Sequence, residues 1–232
     1  MLLAAILAVA GAIAPFRAMA GAPEAVFSVR ITRTGPTTTG SAVLMQRVDG
    51  PHGVTLYFVT TAHLFRGDDG MWLPQPRAIT VEGVPSIALE IHPRDVEVPR
   101  GTLSDLALMR VVVPASTLTP RQVTFTTPNA GDLFFVGGRD RQGRPVGIPQ
   151  RVAHRSTIRV LGDGDVSEIA ACAGAPAVSE AGIFGIVAHC EGGRGPEIAL
   201  FEVARNWLIQ RVPGLGAAQR TLTRLERLTG PK

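Results

Sequence analysis

The sequence predicts an all-β protein, and three observations support that class. Glycine and proline are abundant, at 26 and 18 of 232 residues, and both favour turns over long elements. Short apolar runs rich in β-branched residues recur between those turn residues. Stretches with a 3.6-residue apolar period are few. About a dozen short strands at such spacing imply a sandwich or a barrel.

Residues 2–14, "LLAAILAVAGAIA", form an apolar run that leads through "PFRAMA" to a small-x-small site at Ala18-Met19-Ala20. This build predicts a signal peptide over residues 1–20, cleaved after Ala20, and a secreted or periplasmic chain. Pro15 and Arg17 make the run too short for a membrane anchor. No later segment reads as membrane-spanning. The strands follow in order. "AVFSVRIT" (25–32) is the first, then a turn at "GPTTTG" (35–40). "SAVLMQRV" (41–48) pairs with "VTLYFVTTAH" (54–63) across "DGPHG". "AITVEG" (78–83), "IALEIHP" (87–93) and "DLALMRVV" (105–112) continue the first half. After a pause at "PASTLTP" (114–120) come "QVTFTT" (122–127), "DLFFVGG" (132–138), the long run at 145–162, "PAVSEAGIFGIVAH" (176–189) and "EIALFEV" (197–203). The pause divides the chain into 21–117 and 118–212. "ALFEVARNWLIQRV" (199–212) has core-facing helical spacing at Phe201, Val203, Ala204, Trp207 and Leu208. Residues 213–232 read as a basic helical tail with a frayed end, in preference to a partner or membrane-surface contact.

The formal charge is +4, and loss of Arg17 with the leader leaves 22 basic against 19 acidic residues, or +3. The arginines are dispersed, so nucleic acid is not an expected partner. Cys172 and Cys190 are the two cysteines. In an exported chain they predict one disulfide, worth roughly 3 kcal/mol by chain entropy; two buried thiols are the alternative. Neither a metal nor an organic cofactor is implied.

"YFVTTAHLF" delivers His63 directly after an apolar strand. Asp105 opens another, 42 residues on, in "SDLALMRV". "AACAGAPAV" and "FGIVAH" follow near the end. In this order the three elements resemble the chymotrypsin/trypsin-like serine peptidases, with their "TAxH", "DxALL" and Gly-Asp-Ser-Gly-Gly-Pro motifs. The resemblance spans most of the chain past the leader. It implies two antiparallel β-barrels, over 21–117 and 118–212, with a closing C-terminal helix.

It also implies roles. His63 would be the base and Asp105 its orienter. Ala173 takes the nucleophile position, Ala171 that of the oxyanion-hole glycine, and Cys172 that of the aspartate used in zymogen activation, which is therefore not expected. Ala171 and Ala173 would supply the oxyanion hole, although Ala171 resists the positive φ that a glycine permits. Ser167 falls at the floor of the specificity pocket, with Ala188 and His189 on the strand beside it. None is acidic, so a preference for Arg or Lys is not supported. An edge strand at 186–190 would bind an extended peptide.

Ala173 carries no oxygen or sulfur and forms no acyl-enzyme. Cys172 lies one residue too early to replace it, and Ser179 is weaker still. The expectation is a monomeric, catalytically inactive homologue that binds a peptide or protein. The alternative is an active serine endopeptidase whose serine is substituted in this sequence.

Overall fold

The computed structural model of the chain describes residues 26–32, 37–66, 78–83, 87–99, 104–190 and 195–216. The leader and all but the start of the C-terminal tail lie outside these residues.

Seven strands form the first sheet: β1 (Val26–Thr32), β2 (Thr38–Gly50), β3 (Gly53–Thr60), β4 (Ala78–Gly83), β5 (Ile87–Ile91), β6 (Val96–Glu97) and β7 (Ala107–Val113). Their spatial order is β5-β4-β1-β2-β3-β7-β6, and the sheet curls until β5 nears β7, an almost closed barrel. Six more form a closed barrel in the order β10-β13-β12-β11-β8-β9. These are β8 (Leu133–Arg139), β9 (Pro145–Arg155), β10 (Arg159–Gly162), β11 (Pro176–Ser179), β12 (Gly182–His189) and β13 (Glu197–Leu200). One short helix, α1 (Arg205–Arg211), follows β13. No helix among the described residues is long and apolar enough to cross a membrane.

The strand alternation explains why so many runs are continuously apolar. Successive side chains point to opposite faces, and here both faces are buried. Leu44, Leu56, Phe58 and Met109 point into the first barrel. Their neighbours Val43, Met45, Tyr57, Val59 and Leu108 meet Ile183, Ile186 and Ala199 of the second barrel in a shared core. Phe134, Val136, Phe184 and Leu200 fill the second barrel. The cores are pinned by edge-on aromatic pairs, Phe27 with Phe58 at 5.1 Å and Phe134 with Phe184 at 5.5 Å between ring centres, a favoured geometry.

Three readings change. Residues 122–127 form no strand: Val123 makes one bridge to Ile183, because β13 occupies that side of β12 from Gly185 onward and leaves only Ile183 to bond Gln122 and Thr124. The helix is shorter than 199–212, since Glu197–Leu200 belongs to β13 and 201–204 is a turn. Phe201, Ala204 and Leu208 still share the inter-barrel core, so the helical spacing reported a common buried face rather than one continuous helix. Finally, β12 is an interior strand and not an edge. Only its last residues are open on one side, because β11 stops at Pro176, opposite Ile186.

Candidate active site

Antiparallel pairing of β3 with β7, through Thr60 opposite Ala107, closes the 42-residue gap between His63 and Asp105. β3 ends at Thr60, and a single 3-10 turn (Ala62–Phe65) follows. Ala62 N–H donates to the Asp105 carbonyl at 3.3 Å. The His63 N–H donates to Asp105 Oδ1 at 2.9 Å. His63 Nδ1 lies 2.6 Å from Asp105 Oδ2. The carboxylate therefore grips both the backbone and the ring of one residue, which fixes the ring's orientation. His63 and Asp105 side chains are 37% and 24% exposed, so the pair sits in a cleft open to solvent. Burial would raise the Asp105 carboxyl, but the hydrogen bonds and charge of His63, helped by His189, outweigh it and hold the group below its ordinary range.

The 171–175 loop arrives from the second barrel and is bolted to the first. Ser41 N–H of β2 donates to the Ala173 carbonyl at 2.6 Å, and Ser41 Oγ donates to the Ala171 carbonyl at 2.8 Å. Thr60 Oγ1 in turn donates to the Ser41 carbonyl. Gly174 N–H donates to Val187 O, and Val187 N–H to Ala175 O. Gly174 has φ +88°, and a Cβ there would lie 1.9 Å from the Ser41 carbonyl oxygen, so only glycine fits. These bonds seat Ala173 against the first-barrel cluster that includes Ala62 and Leu64, the two neighbours of His63.

Ala171 has φ +53° and is the one non-glycine residue with positive φ among those described. The resistance expected of alanine is thus overcome by the surrounding bonds, at a cost of about 1 kcal/mol. The N–H groups of Ala170, Gly174 and Ala175 all have backbone acceptors. Those of Ala171, Cys172 and Ala173 have none among the described residues.

His189 adds a feature that sequence reasoning missed. The β12–β13 register shifts between Val187 and His189, a bulge that re-aims the strand end. The imidazole lies parallel over His63, with ring centres 5.4 Å apart and planes 15° apart. Ala188 is buried in the inter-barrel core. Ser167 is not joined to this cluster by any hydrogen bond; its N–H and hydroxyl both donate to Asp165 in its own turn. Ser41 and Thr60 also escaped notice, since nothing marks a hydroxyl inside a β-strand as a tether for a loop 130 residues away.

The cysteines correct an expectation. Both are thiols and not a disulfide. Cys190 packs against the core that contains Cys172. Cys172 is 6% exposed, and its hydrogen bond with Cys190, together with burial, pushes the thiol up. A raised thiol disfavours the thiolate, the nucleophilic form of cysteine. Chemically, the Asp105 carboxylate orients the His63 imidazole, and residue 173 carries only a methyl group.

No family model and no curated protein matches the sequence. Solved structures do. The serine endoprotease from Yersinia pestis is 19% identical, with a TM-score of 0.58 over 82% of this chain and 64% of that one. The HtrA-type protease AlgW, with tripeptide, is 18% identical, with a TM-score of 0.56 over 82% of this chain and 61% of that one. The scabies mite inactivated protease paralogue S-I1 is 13% identical, with a TM-score of 0.59 over 81% and 93%. The chain spans less than two thirds of the length of the first two. At these identities the likeness is one of fold, and the fold is that of the trypsin-like serine peptidases.

Proposed function

We propose that this chain is an exported, monomeric serine-peptidase homologue that holds an extended peptide or protein segment in its cleft without cutting it. One observation supports this most. Ala173 is tied to Ser41 of the barrel that carries the hydrogen-bonded His63–Asp105 pair and packs on the cluster that includes Ala62 and Leu64, yet its side chain is a methyl group. Acyl transfer needs a nucleophile whose proton the base can take. The adjacent sulfur, on Cys172, is buried, and its hydrogen bond with Cys190, together with burial, pushes the thiol up. The inactivated mite paralogue shares this fold, and the AlgW structure that resembles it is one with tripeptide. Ala188 and His189, past the end of β11, offer backbone to such a ligand.

The purified chain tests this directly. Dye-labelled casein and a mixed peptide library should show no turnover above the buffer rate, while labelled peptides are retained on the immobilised protein. Turnover that persists in Cys172→Ser would overturn the proposal.

A second reading, an active endopeptidase whose serine is substituted in this sequence, draws on the intact His63–Asp105 pair. It requires that Ala173→Ser behave as a full peptidase.

A further inference from the structure

We propose that a cavity at the far end of the second barrel is the docking site of the chain's own C-terminal segment, residues 217–232, held in cis by its arginines and leucines. The cavity, of about 630 Å³, is lined by Thr126, Asn129, Asp132, Leu133, Glu180 and Ala181 among others. It is remote from the cleft. β11 runs from Pro176, next to the 171–175 loop, to Ser179, and Glu180 and Ala181 form the turn beyond. The inference is therefore independent of what the cleft holds. No basic side chain lines the cavity. One oxygen of Asp132 accepts from the Asn129 N–H at 2.8 Å. Its other oxygen and the Glu180 carboxylate have no partner among the described residues. Arg155 of β9 is engaged by Asn129 Oδ1 at 2.8 Å and by Glu202 at 3.9 Å, so it does not balance them. Leu133 is 44% exposed, one of two large apolar side chains left so among the described residues. Unpaired carboxylates beside exposed apolar surface fit an occupant that carries cations on an apolar body.

Residues 217–232, "AAQRTLTRLERLTGPK", have that composition. Arg220, Arg224, Arg227 and Lys232 stand against Glu226 alone, and Leu222, Leu225 and Leu228 fall among them. The segment also starts within reach. Gly216, the last described residue, packs on Ile209 of α1, where an added Cβ would meet Ile209 Cγ2 at 3.0 Å. Arg205, which opens α1, lies over the Phe125 ring at 5.6 Å, and Phe125 adjoins Thr126 of the cavity. The gap to be crossed is on the order of 20 Å, with the helix contributing about 1.5 Å per residue. A segment of this length extends to roughly 50 Å at about 3.3 Å per residue, so it spans the gap. Tethering holds its effective concentration at the cavity in roughly the millimolar range. A second copy of the chain competes only at its concentration in solution, which favours the segment's own barrel.

The test is limited trypsin digestion of the full chain, with mass spectrometry following cleavage after Arg224 and Arg227. A synthetic peptide of residues 217–232 is digested alone for comparison. Cleavage tracks the undocked fraction when opening is fast, so the tethered segment should be cut about tenfold more slowly than the free peptide. Asp132→Asn combined with Glu180→Gln should bring the rate to within about threefold of the free peptide. Glu90→Gln, which removes an exposed carboxylate from β5, should leave the protection unchanged, and circular dichroism checks that each variant is folded. Equal rates for the full chain and the free peptide overturn the inference. Protection that rises with protein concentration assigns the cavity to a second copy and also overturns it. So does protection that survives in the folded Asp132→Asn, Glu180→Gln chain, which puts the segment elsewhere. Protection lost equally in Glu90→Gln reports bulk charge and not this cavity, and it overturns the inference too.

Discussion

Ala173→Ser is the most informative single change to this protein. It adds one oxygen at a half-buried position whose backbone is already fixed by the Ser41–Ala173 hydrogen bond of 2.6 Å. The base is oriented by bonds of 2.6 and 2.9 Å to Asp105, and the N–H groups of Ala171 and Ala173 have no acceptor among the described residues. A complete triad contributes about 2 × 10⁶ in kcat. An ångström of misplacement, as expected where an alanine and a stacked histidine have replaced the usual surroundings, costs about 10²-fold. The gain over the unmodified chain should therefore be about 10⁴-fold, equal to about 5.5 kcal/mol of barrier. Casein hydrolysis measures the rate, and a fluorophosphonate probe reports whether position 173 carries an activated hydroxyl. Adding Asp105→Asn should remove about 10⁴-fold again, because the ring would lose its tautomer and orientation. A folded Ala173→Ser protein that neither hydrolyses casein nor takes the probe would refute the idea that base, backbone donors and residue 173 face one cleft. So would labelling that survives His63→Ala.

Asp105 also governs acid stability. Its folded-state pKa lies below the ordinary value of 3.8, so its contribution is complete above about pH 4 and is lost as pH falls through the lower, folded value. The midpoint of thermal unfolding should drop more steeply below pH 4 in the unmodified chain than in Asp105→Asn; parallel curves would contradict this. Ala171→Gly relieves a left-handed alanine and should stabilise the fold by about 0.5–1 kcal/mol in urea titrations, whereas a loss would show that φ +53° carries no strain. Half-buried Cys190 should react with a disulfide reagent well before buried Cys172. Excess oxidised glutathione should then link the two, with release of two reduced glutathiones, and raise stability by roughly 3 kcal/mol; a stable adduct at Cys190 with no ring closure would show that the sulfurs cannot meet.

The sequence by itself determined the class and most strand positions, because turn residues and strand alternation are local signals written within a few positions of each other. It also placed His63 and Asp105, since each stands at the end of a strand whose apolar run is visible. The tertiary structure alone decided the rest. "QVTFTT" has strand composition but no strand, because β13 takes that side of β12 from Gly185 onward and leaves room for a single bridge at Ile183. The state of Cys172 and Cys190, the His63–His189 stack and the Ser41 tether depend on distances between segments far apart in the chain. The left-handed Ala171 is the plainest case. Local preference argues against it, and bonds from a strand of the other barrel outweigh that preference, since a conformational cost of about 1 kcal/mol is small beside the hydrogen bonds and close packing that fix the loop from both sides.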